Sequence, residues 1–174
     1  MKRRGMGAAI KTATAIVAAA FAVYSVAQDT PAKVQLNSEK AGPRAVESLT
    51  ERGIVRDYRV AWGSLEHALE FNVADPLIGP FIGEAKQQLT QTVSAQQRSG
   101  LRQRFLDQNH KLEGVFYAPE GDVIELHDTA KYRRQILDGS KVIQDEDLVV
   151  RYVVLMTPSA DRWVVRQLQA VPQF

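Results

Sequence analysis

Histidine and acidic side chains at metal-ligand spacing are the first chemistry to look for in this sequence. His67, His110 and His127 lie far apart along the chain, and only Glu125 and His127, two residues apart, would share one face of a strand. Zinc needs three or four protein ligands, and no third ligand is identifiable for that pair. The sequence therefore predicts no metal site, and it places Glu125 and His127 on a solvated outer face.

Asp128 is the residue whose position carries the most chemical information. It lies in an alternating segment, on the same side as Tyr132 and its apolar neighbours. A carboxylate there must be hydrogen-bonded or paired, because burying it alone costs several kcal/mol. One interpretation makes Asp128 a general base, with Tyr132 or Tyr152 donating to an oxyanion. The interpretation we favour pairs it with an arginine such as Arg151 or Arg166, or leaves it at an open rim.

Two aromatic residues could bind a ligand next to that carboxylate. Tyr58 and Trp62 fall on one helical stripe, where aromatic side chains more often belong to the core. Together with Asp128 and Tyr132 they are the candidate binding residues for a small apolar ligand. The chain has no cysteine, which excludes thiol catalysis and thiolate metal sites. No phosphate-loop or dinucleotide motif stands in a suitable context, so we expect no cofactor.

The first 27 residues read as a targeting segment. Positive residues precede or interrupt an apolar run that ends in small residues, which is typical of a signal peptide cleaved after Ala27. The alternative is an uncleaved anchor over residues 5–27, which is just long enough to span a bilayer but would bury Lys11. Both predict an exported domain, periplasmic or extracellular, or one anchored to the membrane by this segment alone.

Charge argues against a nucleic-acid partner. Residues 1–27 hold four Lys or Arg and no Asp or Glu, while the whole chain has a formal charge of +2, so the remainder is net acidic. Binding to phosphates needs Lys and Arg concentrated on one face. We therefore expect a protein partner or self-association, and no nucleic acid.

Helical spacing dominates the first part of the mature chain. Residues 28–42 are polar with little periodicity and read as a flexible linker, and residues 43–174 read as one domain. Pro43 suits a first helical turn. A helical stripe then runs to Leu69, either straight through Gly63 or broken there into two helices. A further helix is predicted from about 81 to 98, ended by Gly100.

From about Leu101 the hydrophobic period changes from helical spacing to alternation. Four strands are predicted, over about 103–117, 122–137, 147–157 and 162–171, with turn residues between them. Helices followed by hairpin-connected strands indicate an α+β fold: N-terminal helices packed on one face of a curved antiparallel sheet of about four strands.

Two segments resemble a known superfamily. The stretch from Tyr58 to Leu69, with its Ala61-Trp62 pair, resembles the first helices of the nuclear transport factor 2-like superfamily, and the stretch opened by Trp163 is similar to its last strand. The resemblance covers roughly 44–171, and within it the long third helix and the mostly apolar third strand look closest to membrane-tethered or exported members. The resemblance implies a cone-shaped α+β domain and transfers no catalytic residue, because such folds serve enzymes, ligand binders and assembly proteins alike.

The function expected from these observations is an exported or membrane-tethered, non-catalytic domain for protein binding or assembly. Self-association would use an apolar patch on the outer sheet face. Its candidate residues are Val149, Val153, Leu155, Trp163 and Val165. The alternative is a small-molecule binder or a cofactor-free isomerase or dehydratase, which needs a cavity of ~300 Å³ or more lined by Asp128 and Tyr132.

Overall fold

Two helices and six strands follow one another in the computed structural model of the chain, which describes residues 31–174. The predicted signal or anchor of residues 1–27 lies outside the described residues. The elements are β1 (Lys33–Asn37), β2 (Gly42–Pro43), α1 (Ser48–Phe71), a short 3-10 helix (Asp75–Leu77), α2 (Gly83–Ser99), β3 (Leu101–Tyr117), β4 (Ile124–Asp138), β5 (Lys141–Ser159) and β6 (Arg162–Val171). None of the helices within 31–174 has the length and apolar character needed to cross a membrane.

The sheet is mixed and has more strands than the sequence predicts. Its order is β1-β3-β4-β5-β6, and β2 pairs with β3 beside β1. The strands from β3 to β6 form antiparallel pairs, whereas β1 and β2 run parallel to β3. The predicted α+β class is confirmed. The four predicted antiparallel strands are present as β3 to β6, but the prediction misses the two short parallel strands that precede the helices.

The extra strand β1 lies within the segment that composition assigns to a flexible linker. Val34 is buried and Leu36 is half-buried, while Lys33, Gln35 and Asn37 between them are exposed. This alternation over five residues is enough to bury one side of the segment against β3. The linker prediction is therefore wrong for β1, and Pro43 lies in β2 rather than in a first helical turn.

Helix α1 continues through Gly63 without a break. Its buried stripe includes Ile54, Tyr58, Trp62, Leu65 and Leu69. Gly63 is exposed on the opposite side, so its missing side chain does not interrupt the packing. Helix α2 ends at Gly100, which takes the left-handed conformation with φ of 73°, as predicted for a terminal glycine.

Alternation in β4 sets the inner face of the sheet. Ile124, Leu126, Asp128, Ala130 and Tyr132 are all buried there. At the end of β4, Leu137 is buried and the predicted inward residue Ile136 is only half-buried, next to a register shift in the pairing with β5. Asp128 thus shares the helix-covered face with Leu126, as the sequence predicts.

Candidate functional site

Asp128 forms the centre of a polar cluster inside the core. Its Oδ2 accepts a hydrogen bond of 2.8 Å from the Tyr58 hydroxyl and lies 2.7 Å from Nδ1 of His110. The side chains of Asp128 and His110 are both 0% exposed, and Tyr58 is also fully buried. The predicted need for hydrogen-bond partners is met by a tyrosine and a histidine.

Three elements bring this cluster together. In the register of the sheet, Asp128 of β4 lies opposite Leu112 of β3. His110 precedes Leu112 by two residues and lies on the same face. Residues in this diagonal relation are close enough for long side chains to meet. Tyr58 reaches Asp128 from α1, which packs against the sheet. The cluster therefore links helix and sheet.

The predicted arginine partners of Asp128 are wrong. Arg151 is on the outer side of β5, where it donates to the carbonyl of Pro172 at 3.4 Å, and Arg166 is exposed. Asp128 is not at an open rim either, because no part of it reaches solvent. Strand alternation predicts on which side of the sheet Asp128 lies. It does not predict which residues of α1 and β3 contact Asp128 there.

Trp62 covers the cluster from the helix side. Its ring lies 4.3 Å from the His110 ring and 5.5 Å from the Tyr152 ring, measured between centroids. Trp62 itself is buried. Asp128 Oδ1 and His110 Nε2 have no hydrogen-bond partner among residues 31–174. Aromatic packing separates these two atoms from bulk solvent.

The two tyrosines proposed as oxyanion donors bond to each other. The hydroxyl oxygens of Tyr132 and Tyr152 are 3.0 Å apart. Burial raises the pKa of both phenols above the ordinary value, and burial also raises the pKa of Tyr58 well above it. All three hydroxyls therefore stay neutral at physiological pH and serve as structural hydrogen-bonding groups.

Three clefts in the described part of the chain lie away from Asp128. One of about 390 Å³ lies between the C-terminal half of α2 and the start of β3. Two others have volumes of about 210 Å³, beside Arg56 and Trp163, and about 250 Å³, along α1 near Pro31. None of these three clefts is lined by Asp128 or Tyr132. The binding set of Tyr58, Trp62, Asp128 and Tyr132 is brought together as a packed group.

The Glu125 and His127 pair is close but incomplete as a metal site. Nε2 of His127 lies 3.4 Å from Oε1 of Glu125, and the His127 ring stacks on Phe174 at 4.3 Å. Among residues 31–174 no three His, Asp or Glu side chains are grouped so that they could hold a metal ion. His67 contacts the Phe71 ring on α1, far from that pair in sequence.

Sequence reasoning missed two buried polar residues that organise the core. His110 alternates with the buried Leu112 on β3, so its inward direction was readable from the strand pattern. Asp57 is buried in α1 and accepts a hydrogen bond of 2.7 Å from the backbone N–H of Trp163. It also binds Arg56 through both carboxylate oxygens, at 2.7 and 2.9 Å. Asp57 had no sequence signal, because its partner is over 100 residues away.

The predicted apolar patch on the outer sheet face is smaller than expected. Val149 is exposed, and Val153 and Leu155 are half-buried on the side of β5 opposite the core residue Val154. Val165 is buried in the core. Trp163 packs towards Gly53 of α1. A Cβ atom added at Gly53 would lie 3.6 Å from the Trp163 ring. A register shift between Leu155 and Met156 accompanies this change of side.

Solved structures resemble this chain in fold. The crystal structure of the intermembrane space region of the chloroplast protein ARC6 matches with a TM-score of 0.57 and 12% sequence identity, over 74% of this chain and 98% of that chain. A protein of unknown function with a cystatin-like fold from Nostoc punctiforme matches with a TM-score of 0.41 and 13% identity, over 73% of this chain and 95% of that one. No model of a known protein family matches, and no curated protein matches in sequence. At 12% identity the first similarity shows an α+β fold and nothing of activity.

Proposed function

We propose that this chain is an exported or membrane-tethered, non-catalytic domain that binds a protein partner or assembles with its own copies. The observation that carries the proposal is the burial of Asp128, the carboxylate that the sequence offers as a candidate general base. It is 0% exposed and bonded to Tyr58 and His110 under Trp62. A general base must come within ~3 Å of the proton that it removes, or reach it through one water.

The alternative of a small-molecule binder or an isomerase-type enzyme finds less support. It needs a cavity at Asp128 and Tyr132, and the side chains that would line that cavity contact one another instead. Each tyrosine proposed as a donor is engaged by another core group. The sealed cluster is better explained as a link that fixes α1 on the sheet.

Export is proposed from the beginning of the chain. Basic residues followed by an apolar run and small residues are typical of a signal or anchor segment. The ARC6 region that matches in fold is described as an intermembrane space region. Membership of the nuclear transport factor 2-like superfamily is part of the same proposal, supported by helices packed on one face of a multi-stranded sheet.

The surface proposed for assembly is the outer patch, defined as Val149, Val153 and Leu155 of β5. These three residues lie on the sheet face opposite the helices, with the exposed Arg151 between Val149 and Val153 and Lys131 of β4 beside Val149. Apolar side chains interspersed with charged ones are common in contacts between soluble copies.

Single-cysteine cross-linking tests this assembly, because the natural chain has no cysteine. In the full-length chain, Val153→Cys is expected to give a disulfide-linked dimer under mild oxidation. Glu120→Cys, at an exposed turn on another part of the molecule, is the matched control and should stay monomeric. Light scattering of the unmodified chain should show a dimer in the micromolar range. A monomer throughout that range, with no linked product from Val153→Cys, would contradict the self-association.

A further inference from the structure

The first part of β5 has a strand on one side only. Residues 141–150, which we name the β5 edge, pair with β4 except at the bulged Ile143. Pairing with β6 begins at Arg151, opposite Val171, so no described strand lies on the other side of 141–150. Pro172 then ends β6, and Phe174 turns onto the ring of His127. Roughly half of the N–H and C=O groups in such an edge point away from the sheet.

Parts of two other sheet edges in the described chain have covering groups. On β6, the N–H of Trp163 donates to Asp57, the N–H of Val165 donates to the carbonyl of Pro80, and the carbonyl of Val165 accepts from Ile82. On β3, strands β1 and β2 pair along the C-terminal half. The β5 edge differs, because its only neighbouring elements among residues 31–174 are β4 and β6.

Apolar side chains at both ends of the β5 edge are open to solvent. Val142 is 39% exposed, Ile143 is 51% exposed and Val149 is 56% exposed. Proteins usually protect a long exposed edge with charge, proline or a covering segment. Here the protection is a run of three acids, Asp145, Glu146 and Asp147, in the middle of the edge.

These acids oppose pairing of the edge with a second copy of itself. In an antiparallel pair centred on Glu146, Asp145 of one copy would lie opposite Asp147 of the other, and the two Glu146 side chains would face each other. Arg133 and Arg134 of β4 bind Asp145 and Glu146 from within the same copy. Asp147 lies opposite Arg133 in the sheet, and the Asp145 hydrogen bond and the charge of Asp147 both raise the pKa of Arg133. The Asp147 side chain nevertheless has no ion pair within 4 Å among residues 31–174 and is exposed. Like charges directly opposite destabilise a strand pair, whereas a basic residue in that place stabilises it.

We propose that the β5 edge binds an extended segment of a protein partner as an added strand, and that this segment carries Lys or Arg between apolar residues. Backbone hydrogen bonds to residues 141–150 supply the binding, as in other strand-addition complexes. The basic residues meet Asp145 and Asp147, and apolar residues meet Ile143 and Val149. The inference rests on the proposed protein-binding function and names the chemistry of the partner.

Binding of model peptides to the full-length chain tests the proposal. The probe is a labelled peptide of about nine residues, long enough for one strand, with two Lys residues two positions apart at its centre and Val or Thr elsewhere, compared with its twin that has Glu in place of both Lys. Fluorescence anisotropy should show the Lys peptide binding at least about tenfold more tightly. Hydrogen exchange should slow at residues 141–150 when the Lys peptide is present. A Lys peptide with a central proline should not bind, because proline removes a ladder donor.

Charge exchange gives the decisive variant. Asp147→Lys should weaken the Lys peptide and strengthen the Glu peptide, whereas Glu120→Lys, the same charge change at a distant exposed turn, should alter neither. Equal binding of both peptides, or protection outside 141–150, would overturn the proposal. So would a dimer held together by the β5 edge. Dimer formation through Val153→Cys is independent of these readouts, so failure at the edge leaves the assembly proposal standing.

Discussion

Asp128 shows what a single buried carboxyl group does in this core, because one of its oxygens has two hydrogen-bond partners and the other has none among residues 31–174. Oδ2 of Asp128 accepts a hydrogen bond from the Tyr58 hydroxyl of α1 and lies 2.7 Å from Nδ1 of His110 in β3. One atom of β4 therefore connects the helix to a neighbouring strand. Hydrogen bonds to charged groups are stronger than those between neutral groups, and leaving one partner unpaired in the core costs more than the bond contributes. The position therefore requires an acceptor whether or not the protein carries out any reaction.

Substitution of Asp128 tests this structural role. Asp128→Ala leaves the Tyr58 hydroxyl and His110 Nδ1 without their acceptor, and we expect the free energy of unfolding to fall by about 3 kcal/mol. Asp128→Asn keeps one acceptor and should lose less. The measurement is urea unfolding followed by circular dichroism, with Asp122→Ala at an exposed turn as the control, expected within about 0.5 kcal/mol of the natural chain. An unchanged midpoint for Asp128→Ala would contradict the role.

At the level of elements, strands with a long run of alternating buried and exposed residues were predictable from the sequence, and short strands were not. Alternation through Ala130 and Tyr132 placed Asp128 on the covered face, and Gly100 ended α2 as its backbone freedom suggests. The five residues of β1 were missed, because their alternation sits in a polar segment and gains its partner from β3. Partners of Asp128 were missed for the same reason: contacts over long sequence separations leave no local signal.

A pair of substitutions in β1 distinguishes a strand from a linker. Val34 is buried, and Gln35 beside it is exposed. Val34→Asp places an unpaired charge against β3 and is expected to lower the free energy of unfolding by about 2–4 kcal/mol. Gln35→Asp, one residue away with the same new side chain, should change it by less than about 0.5 kcal/mol. Equal small effects in chemical unfolding would mean that the segment does not pack on the sheet.

For the whole molecule, one face of the sheet is covered by the helices and the other carries the outer patch and continues into the β5 edge. The core between helices and sheet holds aromatic hydroxyls that solvent does not reach freely. The proposed partner binding uses the exposed face and edge, whereas the buried hydroxyl groups contribute to the stability of the core. Titration of the buried tyrosines measures whether solvent reaches the core of the folded domain.

Alkaline pH should unfold the domain cooperatively. Burial raises the pKa of Tyr58 well above its ordinary value, and burial also raises the pKa of Tyr132 and Tyr152. Below pH ~10 both the folded and unfolded chains keep these protons, so the stabilisation is complete there. Above it the unfolded chain releases protons that the folded chain retains, and stability falls by up to about 1.4 kcal/mol per pH unit for Tyr58.

Urea midpoints between pH 8 and 11 measure this slope, with tyrosinate absorbance recorded on the same samples. Tyr58→Phe should be less stable than the natural chain at pH 8, because Asp128 loses a donor, yet its stability should fall less steeply above pH ~10. Absorbance of the buried phenols should rise only together with loss of secondary structure. Reversible ionisation of these phenols in a fully folded domain would show that solvent reaches the core, and would return the Asp128 cluster to consideration as an accessible site.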